Sequence, residues 1–123
     1  MNFNVISTNN LKVAIVSADE SRFNTLQDAI DLMGSCYFEG ISHIIIHEES
    51  LMSEFFDLKS GIAGEILQKF STYNMNLAII GDFSKHKSNS LQKFIYESNK
   101  TRRILFVSKQ SEAIELWEKH YQN

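Results

Sequence analysis

Three short aliphatic runs, Ile44-Ile45-Ile46, Leu77-Ala78-Ile79-Ile80 and Ile104-Leu105-Phe106-Val107, punctuate this chain at similar intervals. None alternates apolar with polar residues, so each suits a strand covered on both faces, and the intervals are long enough to hold a crossover helix. Between the runs the apolar residues switch to helical spacing. Ala63, Ile66, Leu67, Phe70 and Tyr73 lie on one side of a long helix starting from Ser60, and Leu91, Phe94 and Ile95 mark a short helix begun by Ser88 or Ser90. Strand and helix alternating in this way imply a mostly parallel sheet with right-handed connections.

The ends of the chain extend the pattern. Phe3 and Val5 alternate with polar neighbours, and Leu11 to Val16 follow Asn9-Asn10, whose tolerance of positive φ suits a tight hairpin. Thr25 can cap a helix carrying Leu26, Ala29, Ile30 and Met33 as one stripe and ending near Gly34 to Cys36; a helical stretch is expected around Ser53 to Phe56; Ser111 can cap a last helix with Ile114, Trp117 and Tyr121. The order is therefore ββαβαβαβα. With no proline and no low-complexity tract to mark a linker, residues 1–123 read as a single α/β domain. Its expected frame is a mixed, mostly parallel five-stranded sheet with an N-terminal antiparallel hairpin and four main helices. Gly61 and Gly64 suggest that the second long helix approaches its neighbour closely.

Composition bears on location and partners. No apolar run nears the roughly 20 residues needed to cross a bilayer, and Met1-Asn2-Phe3-Asn4 has no signal-peptide character. The lone Cys36 cannot make an internal disulfide and reads as a small buried side chain near a helix end, so a cytoplasmic location is expected. Charge is unevenly spread: nine acidic residues against Arg22 alone from Asp19 to Asp57, then seven basic residues against Glu97 alone from Lys85 to Lys109. The overall net charge of −3 argues against a nucleic-acid binder, and the asymmetry suits an acidic face on one copy meeting a basic face on another.

Four further runs carry a resemblance. Glu54-Phe55-Phe56-Asp57-Leu58, Ala63 to Phe70, Gly81-Asp82-Phe83-Ser84 and Phe94 to Asn99 resemble the bacterial family called domain of unknown function 4180, a likeness that brings no activity with it. More distantly, the strand order resembles the STAS superfamily of anti-sigma factor antagonists and sulfate transporters, whose fold is a superhelix of βα turns. Its Asp-Ser-Ser-Gly or Asp-Ser-Thr-Gly motif corresponds here to Asp57-Leu58-Lys59-Ser60-Gly61, one residue longer and with Leu58-Lys59 in the hydroxyl stretch. That resemblance implies a STAS-like βα superhelix, with Ser60 as a phospho-acceptor.

Ser60 is the first candidate site residue, because free N–H groups at a helix N-terminus stabilise a phosphate; the bland reading is an ordinary helix N-cap. A second group is His47, Glu48 and Asp82, at the carboxyl ends of neighbouring strands, where open α/β sheets bind ligands. Glu49 adds a further carboxylate, yet the spacing matches no metal motif, and neither metal nor cofactor is expected. Tyr96, Glu97 and Asn99 would join that crevice only if the fold brought them to it. Otherwise Glu97 neutralises Arg102 or Arg103, and Asn99 ends its helix in the left-handed conformation. His43, His86 and His120 read as surface or strand-end residues. Nucleotide-binding glycine motifs and a serine-hydrolase elbow are both missing. The leading reading is a small non-enzymatic regulatory or interaction module acting through a protein partner or self-association. The alternative is a small-molecule binder or enzyme using the strand-end crevice at His47, Glu48 and Asp82.

Overall fold

The computed structural model describes residues 3–17 and 23–120, apart from the side chain of His120. Strand β1 (Phe3–Ser7) pairs antiparallel with β2 (Lys12–Val16), and the turn is closed by Thr8, whose N–H donates to the Leu11 carbonyl. Strands β2, β3 (His43–His47), β4 (Asn76–Ile80) and β5 (Ile104–Val107) then run parallel, each beside its predecessor in sequence, giving the order β1-β2-β3-β4-β5. All three aliphatic runs lie in the sheet.

Helices α1 (Leu26–Phe38), α2 (Ile62–Thr72) and α3 (Asn89–Thr101) make the crossovers, and α4 (Gln110–His120) follows β5. Because the strands are added in one direction, crossovers of one hand put α1, α2 and α3 on the same face. Their buried residues, including Met33, Ile66 and Ile95, share one core with Ile44, Ile46, Leu77, Ile79 and Phe106. The alternate residues, Val13, Ile45, Ala78 and Leu105, form the second core with Ala113 and Trp117 of α4. Three helices on one face and one on the other account for the absence of polar alternation.

Several local details differ from the expectation. Helix α1 opens with a Thr25–Asp28 capping box but runs past Gly34 to Phe38, where Gly40, at φ 76°, turns the chain back and Ile41 N–H donates to the Cys36 carbonyl. Burial of Met33 and Cys36 outweighs the roughly 1 kcal/mol cost of glycine inside a helix. Helix α3 is long rather than short, and it ends at Arg102 in the left-handed conformation rather than at Asn99. Residues 53–56 form a 3-10 turn. Ser111 lies inside α4, whose start is held instead by Glu112, accepting from the N–H and hydroxyl of Ser108. Tyr121 lies outside the described residues. A Cβ at Gly64 would meet nothing within 4 Å, so no close helix approach requires that glycine; Gly61 is needed for its own φ of 79°.

Cys36 faces the three-helix core, fully buried, and burial, helped by the charge of Glu39, pushes its thiol up to about 12. A buried neutral thiol does not attack disulfides. The native protein should therefore leave a disulfide thiol reagent unreacted near neutral pH, with the full thiol equivalent titrating only in denaturant; rapid native-state reaction would contradict this placement.

Candidate functional site

The carboxyl ends of β3 and β4 carry the densest group of ionisable side chains. Glu48 follows β3, and Gly81 follows β4 directly beside it in the parallel register. A Cβ at Gly81 would stand 2.8 Å from the Glu48 Cβ, so only glycine lets the glutamate lie across this strand end. Asp82 then starts a 3-10 turn over Phe83–Lys85 by accepting from the Ser84 N–H at 3.1 Å and its hydroxyl at 2.6 Å. These bonds hold the Asp82 carboxyl below its ordinary range.

The turn returns two cationic or proton-bearing groups to Glu48. Lys85 Nζ lies 2.6 Å from Glu48 Oε1, and His86 Nε2 lies 2.9 Å from Glu48 Oε2. The bond to Glu48 also raises the Lys85 ammonium above its usual value. Gln92 of α3 clamps the loop, donating to the carbonyls of Phe83 at 2.7 Å and His86 at 2.9 Å. The His86 ring stacks on Phe56, 4.8 Å between centroids. With Glu48 only 8% exposed, its charge is acceptable because both oxygens have partners.

Chemically, a carboxylate holding an imidazole by one nitrogen is a dyad that can orient a base. No hydroxyl or thiol among the described residues is hydrogen-bonded to His86, however, and Glu48 has no free oxygen for a ligand. The arrangement ties two loops together. No three His, Cys, Asp or Glu side chains among the described residues cluster as a metal site.

The other candidates are dispersed. His47 ends β3 opposite Ile80, and the two-residue period that sends Ile45 to the α4 side sends His47 there too. The stack of Phe56, Phe83 and His86 packs on the three-helix side, so the sheet separates His47 from Glu48's partners. Ser60 donates to the Glu54 carbonyl at 2.6 Å and accepts from the Ile62 N–H at 3.2 Å, which engages its hydroxyl in starting α2. Tyr96 and Glu97 stand exposed on α3; Glu97 approaches Lys100 at 3.9 Å rather than Arg102 or Arg103. Asn99 faces the sheet edge, where its amide bonds both the N–H and the carbonyl of Phe106. None of the three meets Asp82.

Lys85 and His86 are the site residues that sequence reading missed; His43 is the strand-end residue it expected, at the start of β3. His43 is not at the surface: it is 3% exposed, on the α4 face, with its ring edge-on to Trp117 at 4.7 Å. The side chain of His120 is outside the description. A concavity of about 420 Å³ lies beside Phe23, Asn24, Ser50 and Glu54, near the carboxyl end of β3, and its Ser50 hydroxyl has no hydrogen-bond partner.

Among known proteins, residues 8–116 match the model of a family described as Domain of unknown function (DUF4180). A solved structure titled NMR Structure of the protein TM1081 is similar over 94% of this chain and 87% of its own, at 16% sequence identity and a TM-score of 0.45. No curated protein matches the chain.

Proposed function

We propose that the chain, which belongs to the DUF4180 family, is a small non-enzymatic regulatory or interaction module of STAS-like architecture that works by binding a protein. One observation carries this reading: an aromatic surface at the carboxyl ends of α1 and α2. Phe38 is 92% exposed and Tyr37 59% exposed, and Tyr73 meets Tyr37 edge-on at 5.7 Å. Beside them runs a groove of about 200 Å³ lined by Ile30, Met33, Gly34, Tyr37, Lys69 and Tyr73. Exposed aromatic side chains around an apolar groove are what protein contacts use as anchors. Both helices run antiparallel to the strands, so this surface lies at the amino ends of the strands, the opposite end of the sheet from Glu48. The competing small-molecule reading draws on Glu48, Asp82 and His47, but Glu48 and Asp82 are already bonded within their loops and His47 faces the other side.

Affinity capture from the native host with wild-type, Phe38→Ser and Glu48→Gln chains tests the choice. The expected result is a protein retained by wild type and Glu48→Gln and reduced at least about tenfold with Phe38→Ser, since loss of an aromatic anchor costs more than about 1.4 kcal/mol. Retention that depends on Glu48 and not on Phe38 would sink the reading.

A further inference from the structure

Resting on the reading of the α1–α2 surface as a protein-binding face, we infer that its occupant is α3 of a second copy of this chain, in a closed two-fold dimer. The argument starts from the order of the helices. Each crossover helix lies over the pair of strands it connects, so α1, α2 and α3 form one layer in that order, all running in the same direction. The outward side of α1 carries Asp31 with Glu39 just beyond its end, and no basic residue. On the outward side of α3 stand Lys93 and Lys100, with Tyr96 62% exposed between them and Lys100 4.3 Å over its ring.

Two such layers can stack face to face about a two-fold axis lying in the contact plane. An axis perpendicular to the helices puts α1 on α1 and sets Asp31 and Glu39 against their own copies. An axis parallel to the helices puts α1 on α3 twice and α2 on α2, so acid meets base at both ends; charge selects the second. The axis also preserves height along the helices. Tyr96 is the eighth of the 13 residues of α3 and Gly34 the ninth of the 13 of α1, while Lys93 is the fifth and Asp31 the sixth. The Tyr96 ring therefore comes opposite the part of the groove that Gly34 leaves without a side chain, and Lys93 comes opposite Asp31.

Sedimentation equilibrium of the full chain tests this. Wild type should dimerise, more weakly as salt is raised. Tyr96→Ala should raise the dimer Kd about thirtyfold or more. Asp31→Lys and Lys93→Glu should each weaken the homodimer, whereas a mixture of the two variants, or both changes in one chain, should restore association. All of these positions are exposed, and unchanged circular dichroism will separate dissociation from unfolding. Wild type remaining monomeric at its highest attainable concentration, or a dimer indifferent to Tyr96→Ala and to the charge exchange, overturns the proposal. In either case a different protein captured through Phe38 would leave the interaction-module reading standing, and loss of that too would remove both.

Discussion

Between pH 6.5 and pH 4 the folded chain should lose about 3 kcal/mol of stability through His43 alone, and a His43→Phe chain should lack that loss. The residue sits on β3 beneath α4, and burial, followed by the charge of Arg103 and opposed by that of Glu118, lowers its imidazole from 6.5 to about 4. The hydrogen bonds explain why the ring stays neutral. Arg103 is always a donor and its Nη1 points at Asn76 Oδ1 at 3.5 Å, which turns the Asn76 amide nitrogen toward His43 Nε2 at 3.2 Å. Nε2 must then accept, so the ring proton is on Nδ1, facing the Ser42 hydroxyl at 2.8 Å. Protonating Nε2 would set donor against donor in a buried site.

The sign follows from linkage. The folded value lies below the unfolded one, so in this window the unfolded chain binds a proton that the folded chain refuses. Stability is complete above pH 6.5, falls as pH drops, and loses nothing more from this group below about pH 4. Urea unfolding of both chains across the window checks it. The phenyl ring keeps the edge contact with Trp117, so the variant remains a folded comparison, and parallel curves for the two chains would refute the buried neutral histidine.

The same residue shows what was legible in the sequence and what was not. An unbroken aliphatic run implies a strand with both faces covered, so His43, directly before Ile44, was legible as a strand-end residue; its burial against Trp117 was not, because that partner comes from the last helix. Strand positions, helix stripes and the antiparallel hairpin were readable because each depends on neighbours a few residues away. Helix ends were less so: Gly34 signals a stop locally, and only packing of Met33 and Cys36 carries α1 through it. The Glu48 group depends on the register of β3 against β4, which sets Gly81 beside a glutamate 33 positions earlier. A glycine immediately after one strand, level with an acidic residue after its neighbour, was the available signal for that crossing, followed by Lys85 and His86 on the returning loop. For Asn99 no local pattern existed, since its partner is the backbone of a strand not yet formed when the helix is read.

That partnership makes Asn99 the polar residue of α3 whose loss should cost the most. Strand β5 pairs with β4 on one side only, and its other edge would present bare N–H and carbonyl groups as a template for a further strand. Asn99 fills one repeat of that missing ladder, with Oδ1 accepting from Phe106 N–H at 2.7 Å and Nδ2 donating to the Phe106 carbonyl at 3.3 Å. One residue earlier, Ser98 donates to the Ile104 carbonyl at 2.7 Å, so consecutive side chains of a helix stand in for a sixth strand. Asn99→Ala removes both partners of a buried residue's backbone, and an unsatisfied N–H with a lost acceptor contact costs about 2–3 kcal/mol. Asn99→Asp should recover only part of this, because a carboxylate can accept from the Phe106 N–H but meets the carbonyl with a second acceptor. Glu97→Ala, two residues away, should change stability by less than about 0.5 kcal/mol, since its contact with Lys100 is exposed on both sides. Denaturant unfolding ranks the three chains, and amide exchange reports the mechanism: the Phe106 amide should lose protection selectively in Asn99→Ala while that of Ile79, in the middle of the sheet, falls only with global stability. Equal protection at Phe106 in wild type and Asn99→Ala would show that the edge is covered by something other than this side chain.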